Sequence, residues 1–405
     1  MLNLEKFQTY PVIIVPAYQR ADSLHRLLMS LNNAAYPTKE IQLIISTDGG
    51  ASEDVIDVAE TFHFSHGNKH VIKREENLGL RKHIIWCGDQ TETYDSVIVL
   101  EDDLYVDRYY YHYAVNALKF YENDERVSGI SLYAKRVNMA ARLGFEPMNN
   151  GYSAYFMQTP SSWGQAWTKK QWADFKEWYR TADLDTVTNN PRLPAVLKRW
   201  PDTSWLKYFA VYMIEKDNYF IYPYLSYTTN CADAGGVHMP EGTQMYQVPL
   251  GAYNRPPDKF SFCKPDESAV LYDSFMEPAA EEIYQRFDLS PNDLEIDLHG
   301  IKSLSLLEKK KYVLTSKKCH DPIEVFRLGF KPIEKIILDP EASYEPSSGY
   351  SDYIFLAESD NIESEKRPFY HQMNYYSYYQ TENRYFYRRY ILHLIQKLMN
   401  KVWKL

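Results

Sequence analysis

Three consecutive acids, Glu101, Asp102 and Asp103, directly follow an apolar run at residues 97–100. The run predicts a buried strand of a parallel sheet, so the acids should lie just past its carboxyl end, where open α/β sheets bind ligands. Adjacent carboxylates repel one another, and a divalent cation together with the hydrogen-bond donors of a ligand would offset that repulsion. The alternative interpretation is an acidic turn after a strand.

The segments around these acids alternate between strand and helix patterns. Strands are predicted at 11–16, 41–47, 70–74, 97–100 and 127–132, and helices at 21–33, 52–64, 79–87 and 109–121. This alternation predicts an α/β fold with a doubly wound, mostly parallel sheet and helices on both faces. No GxGxxG or GxxxxGK[ST] loop is present, so a bound nucleotide would be held by side chains and a metal.

Tryptophan-rich and glycine-rich segments follow after residue 136. SSWGQAW at 161–167 predicts a loop, and a helix is expected at 168–179. WPDTSW at 200–205 places Asp202 between two tryptophans, ahead of an apolar helix at 206–214. NCADAGGVH at 230–238 predicts a polar loop that contains His238.

The order of these motifs resembles GT-A fold glycosyltransferases, most closely the N-acetylglucosaminyltransferase I type, and is similar to family 2-like bacterial glycosyltransferases. The similarity covers residues 10–245 and lies in VIIVPAYQR, IISTDGG, VIVLEDDLYVDRYYYHY, SSWGQAW, WPDTSW and AGGVH. Two motifs depart from the pattern: the usual Gly-Leu-Gly-Trp is replaced by Trp163-Gly164, and the usual Asp-Asp pair by Pro201-Asp202. The resemblance implies an inverting hexosyltransferase that uses Mn²⁺ or Mg²⁺ and a nucleotide-sugar, with UDP as the expected nucleotide.

The resemblance also implies roles for the acids. Asp103 is expected to bind the metal, with Glu101 and Asp102 against the ribose and the sugar. Arg20 is placed to pair with ribose or phosphate, the alternative being a solvated loop arginine. Asp48, at the end of a neighbouring strand, is placed to accept from a uracil N–H, the alternative being a turn or helix-capping acid.

Three further cationic side chains are candidates on the donor side. Arg81 and Lys82 begin a helix and could add positive charge near the phosphates, although a solvated helix face is the alternative for either. His238 follows two glycines and could touch the metal or the diphosphate, the alternative being a structural histidine.

The acceptor half supplies a candidate base and two stacking rings. Asp202 is expected to deprotonate the acceptor hydroxyl, with its pKa raised by the flanking tryptophans; the alternative is a helix N-cap. Trp163 and Trp167 are expected to stack on an acceptor sugar, the alternative being core packing.

The length of the chain predicts its domains, and its net charge limits the partners it can have. The 405 residues predict a glycosyltransferase domain at 1–268, an accessory α/β module at 269–365 and a basic tail at 366–405. Within the first domain, the nucleotide-sugar half is expected at about 10–135 and the acceptor half at about 136–245. The net charge of −9 disfavours a nucleic-acid partner. The four separated cysteines and the lack of a leader or long apolar run predict a reduced, cytoplasmic protein.

The tail predicts a terminal amphipathic helix, because apolar residues recur at helical spacing among lysines and arginines. Segment 384–405 is therefore expected to bind an anionic membrane surface at the inner face. The alternative is docking on the body of the protein or on a second subunit, as in a homodimer.

We therefore expect a glycosyltransferase that acts on a saccharide or glycolipid in surface polysaccharide synthesis. One alternative is a sugar-1-phosphate nucleotidyltransferase, which the loop PAYQR disfavours because it lacks glycines and a basic phosphate cradle. The other is a non-catalytic carbohydrate-binding protein with a degenerate transferase fold.

Overall fold

The computed structural model describes residues 10–234, 242–251, 259–265, 269–327, 332–339, 353–363, 390–392 and 394–395. The strands are β1 Val12–Ala17, β2 Ile41–Thr47, β3 Gly67–Lys73, β4 Ser96–Val99, β5 Leu104–Val106, β6 Val127–Ser131, β7 Val137–Asn138, β8 Leu143–Gly144, β9 Ala154–Met157, β10 Gln165–Thr168, β11 Tyr219–Pro223, β12 Thr228–Asn230, β13 Leu271–Tyr272, β14 Leu294–Asp297, β15 Tyr312–Thr315, β16 Glu324–Arg327 and β17 Tyr353–Glu358. The helices are α1 Ala21–Asn33, α2 Glu53–Thr61, α3 Gly79–Asp89, α4 Thr91–Tyr94, α5 Tyr110–Phe120, α6 Lys169–Thr181, α7 Ala195–Lys198, α8 Trp205–Lys216, α9 Glu281–Arg286, α10 Leu304–Leu307 and α11 Lys335–Leu338.

The main sheet has the strand order β13-β9-β11-β6-β10-β4-β1-β2-β3. Its β3, β2, β1 and β4 strands are parallel neighbours, whereas β10 runs antiparallel to both β4 and β6. The predicted α/β fold with a mostly parallel sheet is therefore confirmed, and β2 and α1 have the predicted bounds. The carboxyl ends of β1 and β4 lie side by side, so the residues that follow them share one edge of the sheet.

Both faces of the sheet are covered by helices, which explains why β1 and β4 are apolar throughout. Ile13 and Val15 pack on one face with residues of α1, α2 and α5. Val12 and Ile14 pack on the other face with residues of α3, α6 and α8. Side chains of a strand alternate between the two faces, so β1 anchors both hydrophobic cores.

The segment SSWGQAW is not a loop throughout. Gln165 to Thr168 form β10, which is inserted between β4 and β6. Trp167 is consequently fully buried, and its ring centroid lies 4.8 Å from that of Trp172 and 5.6 Å from that of Trp205. The prediction that Trp167 stacks on an acceptor sugar is therefore wrong, because its ring belongs to the core between the sheet and its helices.

The boundary expected between residues 268 and 269 is also wrong. Leu271 and Tyr272 form β13, which pairs with β9 at the edge of the main sheet. A second sheet then follows, with the strand order β14-β15-β17-β16. Ile296, Leu314 and Leu356 belong to its separate hydrophobic core. The C-terminal module therefore begins after β13.

A buried ion cluster joins this module to the main domain. Lys302 is 2% exposed, and its Nζ lies 2.6 Å from both Asp273 Oδ2 and Glu295 Oε1. Arg192, in the segment before α7, donates to Glu295 at 2.9 Å. Burial lowers the pKa of Lys302, but the attraction of Asp273 and Glu295 outweighs that effect and raises it. One lysine thus holds the end of β13, the strand β14 and the α7 segment together.

A second polar junction fixes α3 to the carboxyl end of β2. Asp48 is 6% exposed, and its carboxylate accepts from the backbone N–H groups of Gly49, Leu78 and Gly79 at 3.0, 2.8 and 3.0 Å. The carboxylate therefore serves as the anion at the N-terminus of α3. These hydrogen bonds match the capping role that was the alternative, and acceptance from a uracil N–H stays a prediction.

The same junction contains a buried imidazole. His83 Nε2 lies 2.8 Å from Ser46 Oγ, and the residue is 4% exposed. Burial lowers the pKa of His83 to about 4, although Asp48 favours the charged form, and Arg74 lowers it further. His83 is therefore neutral near pH 7.

The ion cluster predicts a large effect of Lys302→Met on stability. Removing the ammonium leaves Asp273 and Glu295 buried without their shared partner, so the free energy of unfolding should fall by about 3–5 kcal/mol. Urea unfolding monitored by circular dichroism measures it. Lys318→Met is the matched control, because the Lys318 side chain is 72% exposed beside Glu363 and should change stability by about 1 kcal/mol or less. Equal effects of the two variants would show that the cluster is not stabilising.

The buried imidazole predicts how stability depends on pH. The pKa of His83 is lowered from 6.5 to about 4 on folding, so below pH 6.5 the unfolded state binds a proton that the folded state does not. The free energy of unfolding should therefore fall as the pH is lowered, by on the order of 3 kcal/mol between those pKa values. In His83→Gln this contribution to the difference between pH 7 and pH 4.5, measured by urea unfolding, should be absent. His63→Gln, at an exposed position, is the control, and identical pH dependence in wild type and His83→Gln would refute the assignment.

Candidate active site

A cavity of about 360 Å³ opens at the carboxyl edge of the main sheet. Its donor-side wall contains Arg20 from the loop after β1, and Glu101 and Asp103 from the segment after β4. The remaining lining includes Lys135, Ser161, Ser162, Trp163, Trp200, Trp205, Asn230 and Tyr246. The cavity thus brings the acids predicted to bind a metal together with residues of the predicted acceptor half.

Arg20 is the centre of charge balance in the donor-side wall. Its Nη1 donates to Asp103 Oδ2 at 3.0 Å, and its Nη2 donates to Asp102 Oδ1. Burial lowers the pKa of Arg20, but the two carboxylates outweigh that effect and raise it. The alternative of a solvated loop arginine is therefore not what the structure shows, since the guanidinium joins two of the three acids.

The acids themselves are poorly hydrated. Asp102 and Asp103 are 6% and 8% exposed. Burial raises the pKa of Asp102 to about 6; Arg20 opposes that shift and Asp103 adds to it. Burial, with the charges of Asp103 and Asp102, raises the pKa of Glu101 well above its ordinary value. Negative charge is thus concentrated beyond what one guanidinium neutralises, which favours a cation at this site.

The position of Asp103 is fixed by a two-stranded antiparallel sheet that begins next to it. The strand β5, which begins directly after Asp103, pairs antiparallel with β12. The Cys231 N–H donates to the Asp103 carbonyl at 2.9 Å, and Asn230 Nδ2 donates to Asp103 Oδ1 at 3.4 Å. These contacts hold the carboxylate in the cavity wall while Arg20 bonds its second oxygen.

The oxygen donors of this wall fit a hard divalent ion. Asp103 and Glu101 both line the cavity, and Mn²⁺ or Mg²⁺ is commonly held by one or two carboxylates with phosphate and water. Within the described part of the chain, no group of three or more His, Cys, Asp or Glu residues could hold a metal by itself. The residues therefore fit an ion whose remaining ligands come from a substrate, rather than a closed structural site.

Neither Arg81 nor Lys82 is among the residues that line the cavity with Glu101 and Asp103. The Arg81 guanidinium lies over the Tyr208 ring of α8, 5.2 Å from its centroid, and Lys82 is exposed. The N–H groups of Leu78 and Gly79 already bind Asp48. Arg81 and Lys82 are the third and fourth residues of α3, and contact of either with a phosphate stays a prediction.

Asp202 does not have the predicted environment. Its side chain is 84% exposed and accepts from Lys207 Nζ at 2.9 Å. The hydrogen bond and the charge of Lys207 lower the pKa of Asp202, so the predicted rise is wrong. Trp200 lines the cavity but Asp202 does not. The carboxylate lies outside the cavity because buried Lys207 binds both Asp202 and the carbonyl of Trp200.

Trp163 lines the cavity. Its ring is partly buried in the cavity wall, with the Tyr133 and Tyr246 ring centroids 4.8 Å away. Its carbonyl accepts from Thr228 Oγ1 at 2.6 Å, which ties the loop to β12. An aromatic surface of this kind is suited to a sugar ring, although contact with an acceptor remains a prediction.

Sequence reasoning missed Lys135, Asn230 and Tyr246 as cavity residues. Lys135 follows an apolar strand, as the three acids do, and that placement was the available signal. Asn230 and Tyr246 lie in segments without periodicity. Pairing of β12 with β5 brings Asn230 to the cavity, and Tyr246 packs on the Trp163 ring while its carbonyl accepts from the Tyr133 hydroxyl.

Two of the predictions concern residues that the structure does not describe. His238 and most of segment 384–405 lie outside the described residues. Residues 390–392 and 394–395 are helical, and their side chains are between 41% and 54% exposed. No helix within the described residues is long and apolar enough to cross a bilayer.

Comparison with known proteins places these features in context. The family described as glycosyl transferase family 2 matches residues 12–138. No curated protein matches the chain significantly.

Two solved structures are similar to the chain at low identity. One is the mannosyltransferase PcManGT from Pyrobaculum calidifontis in complex with GDP-Man and Mn²⁺, at 16% identity over 41% of this chain and 46% of that chain, with a TM-score of 0.30. Another is TarS 1–349 of S. aureus in complex with UDP-GlcNAc, at 17% identity over 57% of this chain and 60% of that chain, with a TM-score of 0.37. The chain therefore covers less than two thirds of either structure.

The matched segment contains β1 to β6 together with Arg20 and the three acids that meet at the cavity. This segment, and with it the parallel part of the main sheet, is therefore similar to glycosyl transferase family 2.

Proposed function

We propose that the protein transfers a sugar, with inversion, from a nucleotide-sugar to a saccharide or glycolipid acceptor in a metal-dependent reaction. The expected donor is UDP-linked, and the expected process is surface polysaccharide synthesis. The observation that carries the proposal is the meeting of Arg20, Glu101 and Asp103 in one cavity wall, inside the segment similar to family 2. A membrane-surface role for 384–405 and a homodimer remain predictions.

The donor-side wall supports binding of a diphosphate through a cation. Mn²⁺ or Mg²⁺, held by Asp103, would neutralise charge that develops on the leaving diphosphate. Arg20 already bonds Asp102 and Asp103, so it orients both carboxylates before a donor arrives. Because its guanidinium has five N–H donors, it can keep those bonds and still offer one to a ribose or phosphate oxygen.

The acceptor-side wall supports binding of a sugar ring. Trp163 and Trp200 present indole surface to the cavity, and Ser161, Ser162 and Ser204 contribute polar groups beside them. A ring that stacks on an indole while its hydroxyls bond to serines is a common arrangement for saccharides. Pro201-Asp202 contributes the turn that carries Trp200 rather than a group inside the cavity.

The metal assignment predicts the result of Asp103→Asn. The amide keeps the size of the carboxylate but is a weak ligand, so turnover with Mn²⁺ and a panel of UDP-sugars should fall below about a tenth of wild type. The rate of UDP release measures this. The stabilisation of the folded state by UDP with Mn²⁺ should be lost as well.

Asp54→Asn, on the exposed start of α2, is the control and should keep both properties. Turnover near the wild-type rate in Asp103→Asn would contradict the assignment. Pyrophosphate release from a nucleoside triphosphate would instead indicate a nucleotidyltransferase, and sugar binding without any turnover would indicate a binding protein.

The exposed position of Asp202 predicts a small effect of Asp202→Asn. Because the carboxylate pairs with Lys207 outside the cavity, kcat should remain within about threefold of wild type, instead of the 10²–10⁴-fold loss expected for a general base. Steady-state kinetics on the active UDP-sugar with its acceptor decide this. A loss of about 10² or more with unchanged donor KM would restore Asp202 as the base.

A further inference from the structure

Lys135 is an unexpected cation in the cavity. It lies four residues after the end of β6, whose carboxyl end meets the same sheet edge as those of β1 and β4. The side chain lines the cavity that also contains Arg20, Glu101 and Asp103. Its position in the wall is therefore comparable to that of the acids, but its charge is opposite.

The ammonium has no anionic partner among the described residues. Its neighbour Arg136 is paired with Glu146 at 2.9 Å, whereas in the described part of the chain no ion pair or hydrogen bond involves Lys135 Nζ. The contact it makes is with the Trp163 ring, whose centroid lies 5.3 Å from Nζ. Lysines withdrawn from water are usually paired with carboxylates or carbonyls, so an unpaired one facing a cavity indicates a ligand.

Burial also makes the charged form of Lys135 less favourable. Burial lowers the pKa of Lys135 to about 8. At pH 7 the side chain still carries its charge for most of the time, at an energetic cost that an anion would remove. By contrast, Arg20 already has two carboxylate partners.

The neighbours of Lys135 belong to the acceptor side. Trp163 and Ser162 follow β9, and Tyr246 packs on the Trp163 ring. The carboxylates predicted to hold the donor's metal are bound by Arg20, on the wall formed after β1 and β4. A substrate group that reaches Lys135 would therefore accompany the sugar stacked on Trp163.

We propose that Lys135 binds an anionic group, a carboxylate or phosphate, carried by the acceptor, and that the protein therefore prefers acidic saccharides or phosphorylated glycolipids. Lys135 and Trp163 form one subsite: the indole contacts the sugar ring and the ammonium pairs with the anion beside it. This inference rests on the proposed transferase function and names the acceptor class for it.

Binding of simple probes tests this subsite in the full chain. Glucuronate, glucose 6-phosphate and neutral glucose are titrated in the presence of UDP and Mn²⁺, with calorimetry or ligand-observed NMR as the readout. Wild type should bind the anionic probes about tenfold or more tightly than glucose. Lys135→Met should remove that preference, whereas Lys135→Arg should retain it within about threefold, since the guanidinium also pairs with carboxylate and phosphate.

Two controls separate this result from general effects. Lys170→Met removes an exposed lysine paired with Asp174 and should leave the preference unchanged. The affinity for UDP with Mn²⁺ should be unchanged in all variants. Thermal unfolding checks that Lys135→Met is folded, which is expected because the substitution replaces a partly buried cation by an apolar chain of similar length.

Two results would overturn the inference. Wild type could bind glucose as tightly as glucuronate and glucose 6-phosphate. Alternatively, Lys135→Met could weaken UDP binding tenfold while the sugar preference remains, which would make Lys135 a ligand of the donor diphosphate. Absence of any nucleotide or nucleotide-sugar binding by wild type would instead refute the proposed function, and the sugar titrations without UDP would still report on Lys135.

Discussion

Charge balance around Arg20 is the constraint on which the donor side of the cavity depends. The strands β1 and β4 are parallel neighbours, with Ile14 opposite Val99, so the loop that carries Arg20 and the acids after β4 leave the sheet together. Arg20 bonds Asp102 and Asp103 there. Without the guanidinium, buried carboxylates would be adjacent and unpaired, an arrangement that folding disfavours by several kcal/mol. The fold therefore tolerates the acids because the neighbouring strand delivers their counter-charge.

The sequence was sufficient to predict that Arg20 and the acids after β4 lie together, because the strands that position them are local patterns. The strand β2 and the helix α1 have the predicted bounds, since their apolar periodicity decides both structure and burial. Once the strands are parallel, the side chains that follow them must meet at one edge, which brings Arg20 and Asp103 together without knowledge of any loop. Asp48 also follows a parallel strand and lies at the same edge of the sheet. Its carboxylate accepts from backbone N–H groups at the N-terminus of α3, a contact between separate segments that the local pattern does not predict.

The acceptor side was predicted less well because its side chains depend on distant partners. Trp167 has the same residue type and loop-like surroundings as Trp163, yet antiparallel pairing of β10 with β4 and β6 buries one and leaves the other in the cavity wall. Asp202 was expected to be desolvated by its tryptophans, whereas its side chain is 84% exposed and pairs with Lys207 in the first turn of α8. The residue type of Lys135 did not predict a place in the cavity, since an isolated lysine usually lies in solvent. The periodicity of a short sequence segment does not show which distant segments will pack against it.

The two walls of the cavity also differ in how they are held. The donor wall is built from adjacent parallel strands of the sheet. The acceptor wall includes Ser274, which follows β13, and its hydroxyl donates to the carbonyl of Arg192 at 2.6 Å. Arg192 and Glu295 connect that wall to Lys302 in the C-terminal module. The lining that includes Ser274 is thus tied to the C-terminal module by buried polar contacts, whereas Arg20 and Asp103 are joined by an ion pair between segments that follow neighbouring parallel strands.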